Sequence, residues 1–160
     1  MSNTWARDIW EMHQQYGVHE WVAENKDKLG TLLEFRLRFL DEEHDELNIA
    51  VREGNAEEVV DALIDICVVA IGTLDIMGVD AQRAWEEVQR ANMAKEVGVK
   101  ESRPNPLGLP DLVKPDGWEG PSHHNNHGSL PAALEGHPPQ TVTVDGVEIA
   151  ADIARLGGPL

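Results

Sequence analysis

The chain has 160 residues, enough for one domain with a substantial core. Acidic residues outnumber basic ones 29 to 13, a formal net charge of −16, so the surface repels nucleic-acid backbones and anionic membranes. A small polyanion remains admissible wherever divalent metal ions screen the carboxylates. The single cysteine, Cys67, excludes an internal disulfide; set among Ile64, Ile66, Val68 and Val69, it reads as a buried free thiol. Met1-Ser2-Asn3-Thr4-Trp5 lacks a basic segment followed by an apolar one, so no signal peptide is expected. No apolar stretch reaches the ~18 residues of a membrane span, and a cytoplasmic location is expected.

All nine prolines lie between Pro104 and Pro159. Residues 1–97 are therefore expected to form a helical core and 98–160 an irregular extension. A first helix runs from about Trp5 to Gln15, with Trp5, Ile9 and Met12 at helical spacing, and stops near Gly17. A short piece around His19–Asn25 continues it after a kink. The second helix is predicted to start at Thr31, where Thr31-x-x-Glu34 reads as a capping box, and to carry Leu32, Phe35, Phe39 and Leu47 on one stripe up to Gly54.

Asn55 caps a third helix reaching Met77. That helix is apolar almost all round (Val59, Val60, Leu63, Ile64, Ile66, Val68, Val69, Ile71) and is expected to be covered by another subunit. Gly78 closes it. Asp80 then caps a fourth helix through about Glu96, with Ala84, Trp85, Val88, Ala91 and Met93 as packing positions. Residues 98–121 read as a loop packing near the active site. Residues 122–160 read as loop too, with a possible small hairpin around Asp145-Gly146; Ile149 to Leu156 forms a helical turn or two in the alternative. The histidines at 123, 124 and 127 lack cysteine or carboxylate neighbours and read as solvated.

Two acidic pairs carry the chemistry. Residues three apart on a helix are surface neighbours, so Glu43-x-x-Glu46 and Glu58-x-x-Asp61 each present two carboxylates on one face. Asp61 and Asp65 stand inside the apolar helix, where a lone carboxylate costs several kcal/mol unless it is paired or ligates a metal. The reversal at Gly54-Asn55 lays one pair beside the other. Glu43, Glu46, Glu58 and Asp61 thus form an expected cage of hard oxygen ligands for Mg²⁺, with Mn²⁺ as substitute. A ferritin-like di-iron site requires Glu-x-x-His on two helices; only Asp41-x-x-His44 approaches that pattern.

The elements Glu42-Glu43-His44-Asp45-Glu46 and Glu57-Glu58-Val59-Val60-Asp61 resemble those of the all-α nucleoside triphosphate pyrophosphatases, the MazG-like group. The phage-encoded, phosphoribosyl-ATP pyrophosphohydrolase-like branch is more similar still. Its Ser-Asn-Met-Ser-Lys string is matched by Ala91-Asn92-Met93-Ala94-Lys95, with alanines at both serine positions. Its Lys-Pro-x-Gly-Trp-x-x-Pro element is matched by Lys114-Pro115-Asp116-Gly117-Trp118-Glu119-Gly120-Pro121. The resemblance covers about residues 8–121. It implies an all-α bundle of four to five helices; the apolar third helix adds the expectation of a homodimer or homotetramer. The resemblance also implies metal-dependent hydrolysis between the α and β phosphates of a (deoxy)nucleoside triphosphate, dGTP on the phage-type likeness, in the host cytoplasm if phage-encoded. Phosphoribosyl-ATP hydrolysis is the second reading, and a non-enzymatic acidic interaction module the third.

Within this reading, Glu42 or Asp65 orients the attacking water or takes its proton. Asn92, Lys95, Lys114 and Trp118 are the expected substrate contacts. Lys95 equally suits a helix C-terminus, and Trp118 either closes over the site or anchors the tail. Arg36 and Arg38 read as surface ion-pairing residues; His13 with Gln14, near the end of the first helix, read as an exposed polar face, with contact to the base as the alternative.

Overall fold

A computed structural model describes residues 4–100 and 106–135, and the backbone of 141–144 and 147–150. It is an all-α fold with two small two-stranded additions. Helix α1 (Trp5–Gln15) is capped by the Thr4 hydroxyl, which accepts the Arg7 N–H at 3.3 Å, and it buries Ile9 and His13 one turn apart. Gly17, at φ 71°, turns the chain into α2 (Val18–Glu24).

Helix α3 spans Leu29–Glu53 and starts two residues before the predicted Thr31. A 3₁₀ turn at Lys26–Lys28, with the Lys28 N–H bonded to the Asn25 carbonyl at 2.9 Å, feeds the backbone directly into the helix. Thr31 consequently lies inside the first turn instead of capping it.

Gly54, at φ 67°, and Asn55 make the expected reversal into α4 (Ala56–Ile76); Asn55 Oδ1 accepts the Glu58 N–H. Helices α3 and α4 form the most extensive packing pair in the fold. One chain covers only a stripe of α4, namely Ala62, Val69, Gly72 and Ile76. Val60, Leu63 and Ile64 remain 63%, 48% and 46% exposed, and Cys67 is half-buried rather than enclosed. Among the described residues no single helix is long and apolar enough to cross a membrane.

At Gly78 (φ 70°) the chain bends by 118° into α5 (Ala81–Met93), where the Asp80 carboxylate accepts the Arg83 N–H at 2.9 Å. Helix α5 ends three residues before the predicted Glu96. Residues Glu96–Gly98 instead form strand β1, which pairs antiparallel with β2 (Asp111–Val113) inside the expected loop region. Of the expected packing positions on α5, Ala91 is buried, whereas Trp85 and Met93 are exposed.

The segment after residue 122 contributes to the core. Helix α6 (Leu130–Ala133) brings Ala133 against Leu29, Met77 and Val79, with Leu33, Leu74 and Leu130 around them. Asn126 holds the turn before α5 by both ends of its amide: Oδ1 accepts the Asp80 N–H at 2.8 Å, and Nδ2 donates to the Asp80 carbonyl at 2.9 Å. The Ser129 N–H and hydroxyl both donate to the Met77 carbonyl, at 2.7 and 3.0 Å. Strands β3 (Thr141–Val144) and β4 (Val147–Ala150) pair as the predicted hairpin. Its turn residues lie outside the described residues; the alternative of helical turns from Ile149 to Leu156 is not met at Ile149 and Ala150, which belong to β4, and its remainder lies outside the described residues.

Candidate active site

The α3–α4 reversal sets Glu42, Glu43 and Glu46 beside Asp61 and Asp65. Glu43 is half-buried, and its Oε2 is shielded from solvent with no hydrogen-bond partner. Its carboxyl holds a proton above the ordinary carboxylate range. Desolvation is the largest cause, followed by the negative charges of Asp65, Glu46, Glu42 and Asp61. Every charge that shifts Glu43 belongs to another carboxylate, and Asp65 weighs more than Asp61. Residues four apart share a helix face, so Asp61 and Asp65 both address α3. Glu58, exposed in the first turn of α4, does not figure among these neighbours. Asp61 is itself exposed in the single chain, so its expected burial is not met within one copy.

A second group assembles around Trp118. Its indole Nε1 donates to the Ala91 carbonyl at 2.7 Å, closing the tail onto the end of α5. Lys114 Nζ lies 4.5 Å and Lys95 Nζ 5.7 Å from the ring centroid, and Lys95 also donates to Asn92 Oδ1 at 2.8 Å. Lys95 and Lys114 thus meet on the Trp118 ring, and Asn92 is tied to them through Lys95. The tail beyond is laid along α5. Arg90 donates to the Gly120 carbonyl, and Glu87 accepts the Ser122 N–H and an Arg90 bond, which together hold the Glu87 carboxyl below its usual range. His123 is half-buried with Nδ1 unpartnered, a departure from its solvated reading; His124 and His127 are exposed as expected.

Two expectations near α1 and α3 are corrected. Arg36 is not a surface ion-pairing residue: it donates to the Val69 carbonyl at 2.9 Å and Thr73 Oγ1 at 3.1 Å, and burial lowers its pKa. His13 is not on an exposed face but is buried beside Asp75. The sequence carried one signal for this second contact, an acid at 75 between Leu74 and Ile76, but nothing local pointed sixty-two residues back to His13.

Residues 20–92 match the family described as phosphoribosyl-ATP pyrophosphohydrolase. The match takes in α3, α4 and both acidic pairs. This stretch is a domain of the phosphoribosyl-ATP pyrophosphohydrolase family, within the MazG-like all-α superfamily. The family hydrolyses phosphoric anhydrides. Lys95, Lys114 and Trp118 lie beyond the matched residues, and no curated protein matches the chain.

The acidic side chains of this domain are an all-oxygen set of the kind a hard divalent cation takes, but no three of them draw their oxygens within 4.8 Å of one another; among the described residues only the ligand atoms of His13, His19 and Asp75 do so. Glu43 Oε2 is a buried acceptor without a donor, crowded by like charges, and an all-oxygen group suits Mg²⁺ or Mn²⁺. The crowding has a cost to the fold. A carboxyl whose folded-state pKa is raised contributes stability at acid pH, and that stability is lost as pH rises from the ordinary carboxylate range through the raised value. Glu43→Gln in the pyrophosphohydrolase domain is therefore expected to raise the melting temperature of the metal-free protein at neutral pH by a few degrees. The gain fades as pH falls into the ordinary carboxylate range. Thermal melts of both proteins across that range, with chelator present, measure it.

Proposed function

We propose that this chain is a Mg²⁺-dependent (deoxy)nucleoside triphosphate pyrophosphatase, with Mn²⁺ as substitute, cutting the α–β anhydride to release a nucleoside monophosphate and pyrophosphate. The observation that carries the reading is the convergence of Glu42, Glu43, Glu46, Asp61 and Asp65 with an orphaned oxygen on Glu43. Bound Mg²⁺ supplies charge neutralisation on the phosphate oxygens and acidifies water. Glu43, Glu46 and Asp61 are the proposed ligands, with Glu58 completing the set from the start of α4. Glu42 or Asp65 orients the attacking water in line with the scissile bond and accepts its proton. Lys95 and Lys114 bind phosphate oxygens, Asn92 bonds sugar or phosphate, and Trp118 holds the two lysines in place.

The proposed substrate is a purine deoxynucleotide, dGTP, on the likeness of the acidic and C-terminal strings to the phage-type branch. Phosphoribosyl-ATP is the second reading, favoured by the description of the family that residues 20–92 match. A panel of canonical and modified triphosphates with phosphoribosyl-ATP, assayed for pyrophosphate with Mg²⁺, with Mn²⁺ and with chelator, decides between them. Preferred turnover of dGTP supports the first and of phosphoribosyl-ATP the second. Absence of any metal-dependent pyrophosphate release contradicts both and leaves an acidic interaction module.

Trp118→Ala frees both lysine ammonium groups from their ring. It is expected to raise KM about tenfold, equivalent to ~1.4 kcal/mol, with kcat much less changed. Steady-state kinetics check this. A lowered melting temperature with unchanged KM assigns Trp118 to tail anchoring alone. The open apolar face of α4 around Val60, Leu63 and Ile64 is suited to a second copy of the chain, as homodimer or homotetramer. Light scattering returning a monomer contradicts that assembly.

A further inference from the structure

Three side chains outside the acidic cage converge on one point. Asp75 Oδ2, near the end of α4, lies 2.6 Å from His13 Nδ1 of α1 and 2.7 Å from His19 Nε2 of α2. One ligand atom from each falls within 4.8 Å of the others. The side chains of His13, Asp75 and His19 are 7%, 13% and 25% exposed, so the group is shielded from bulk water yet open on the His19 side. The two imidazoles stand edge to face, at 89°, and both present a nitrogen to the same Asp75 oxygen.

Each ring nitrogen of His19 has a side-chain partner: Nδ1 lies 3.1 Å from the Gln14 side-chain amide and Nε2 2.7 Å from Asp75 Oδ2. In the tautomer that carries its N–H at Nδ1, the Nε2 lone pair faces the carboxylate, and a cation between them makes that arrangement attractive. A metal-bound histidine characteristically gives its second N–H to an oxygen acceptor, which fixes ring and tautomer, and Gln14 occupies that place. Gly72 borders the group: a Cβ there comes 2.9 Å from Arg36 Nη2 and 3.1 Å from His13 Cε1, so the missing side chain leaves space for both the guanidinium and the buried ring.

The geometry points to a second metal site, formed by His13, His19 and Asp75 and selective for a late first-row transition ion such as Zn²⁺. Two imidazole nitrogens and one carboxylate oxygen suit Zn²⁺, with a fourth position left for water, whereas Mg²⁺ prefers the all-oxygen cage. Asp65 and Asp75 are ten residues apart on α4, roughly 15 Å along the helix, so the two sites are separate. The ligands come from α1, α2 and α4, and the ion joins the N-terminal helices to the core.

The test uses the full-length protein, stripped of metal and then saturated with Mg²⁺ to fill the cage. Zn²⁺ titrated by calorimetry is expected to bind once per chain and to raise the melting temperature by several degrees, and Co²⁺ to give ligand-field absorption of nitrogen-and-oxygen ligation. His19→Gln, at a partly exposed ring, removes both responses with helix content retained by circular dichroism; Asp75→Asn does the same. Glu46→Gln and the double change His124→Ala with His127→Ala leave them intact. No Zn²⁺ binding by the Mg²⁺-saturated wild type overturns the site. So does binding that survives His19→Gln, or that disappears with His124 and His127. None of these readouts depends on nucleotide hydrolysis, so failure of the second site and failure of the proposed activity are distinguishable.

Discussion

Glu46→Gln and Asp61→Asn are each expected to lower metal-dependent pyrophosphate release by at least about 100-fold, a loss reached even when an outer partner of a metal ligand is removed. Both carboxylates bear on Glu43, and both substitutions keep the side-chain shape while deleting a charge. Asp61 is exposed and Glu46 lies on the open side of α3, so neither change opens a cavity. Helix content and melting temperature of the metal-free protein are therefore expected to hold or rise, since each variant relieves like-charge crowding. The paired measurement separates a ligand from a structural residue: turnover collapses while the fold stays. Normal hydrolysis by both variants removes Glu46 and Asp61 from the site.

Gly128→Ala is expected to destabilise the protein by about 3 kcal/mol, lowering the melting temperature by roughly 6–12 °C. Gly128 has φ 52°, and a Cβ built there comes 1.9 Å from the Met77 carbonyl oxygen and 2.7 Å from the Gly78 carbonyl carbon. Both are backbone atoms in the turn between α4 and α5 and cannot swing aside as a flexible side chain does. The neighbouring Ser129 bonds to that same carbonyl, and Met77 is fully buried, so a shift there opens the core joining α3, α4 and α6. Gly117→Ala is the control. Its φ of 74° is as left-handed, yet nothing lies within 4 Å of the added Cβ, so only the conformational cost of about 1–2 kcal/mol applies. Thermal melts of the two variants compare a clash with a pure backbone preference; equal losses contradict the docking of 128 onto 77–78.

The helices whose ends depend on short-range chemistry were legible in the sequence. Gly54, Asn55, Gly78 and Asp80 stop and start α3, α4 and α5 through positive φ and side-chain caps, each settled within about four residues. The i, i+3 acidic spacing is of the same kind, and the short turn between the helices brings carboxylates of α3 and α4 to bear on one another. The start of α3 is not legible in the sequence, because the 3₁₀ turn before it leads into the helix without a capping residue. Nor is the end of α5, because β1 forms only with a strand fifteen residues away.

Burial was the property least available from sequence. Asp61 has apolar neighbours on both sides in the chain, but successive helix residues point about 100° apart, so Val60 and Ala62 say little about the space Asp61 enters. In three dimensions Ala62 is buried while Val60 and Asp61 are exposed. Composition and local spacing determined the helical class, most helix boundaries and the pairing of acids across one turn, because those follow from backbone geometry a few residues long. The tertiary structure alone decided that Ala133 belongs to the core, that Trp118 gathers Lys95 and Lys114, and that His13 and His19 meet Asp75. Each of those contacts joins residues that no local pattern relates, and only the packing of whole helices brings them within reach.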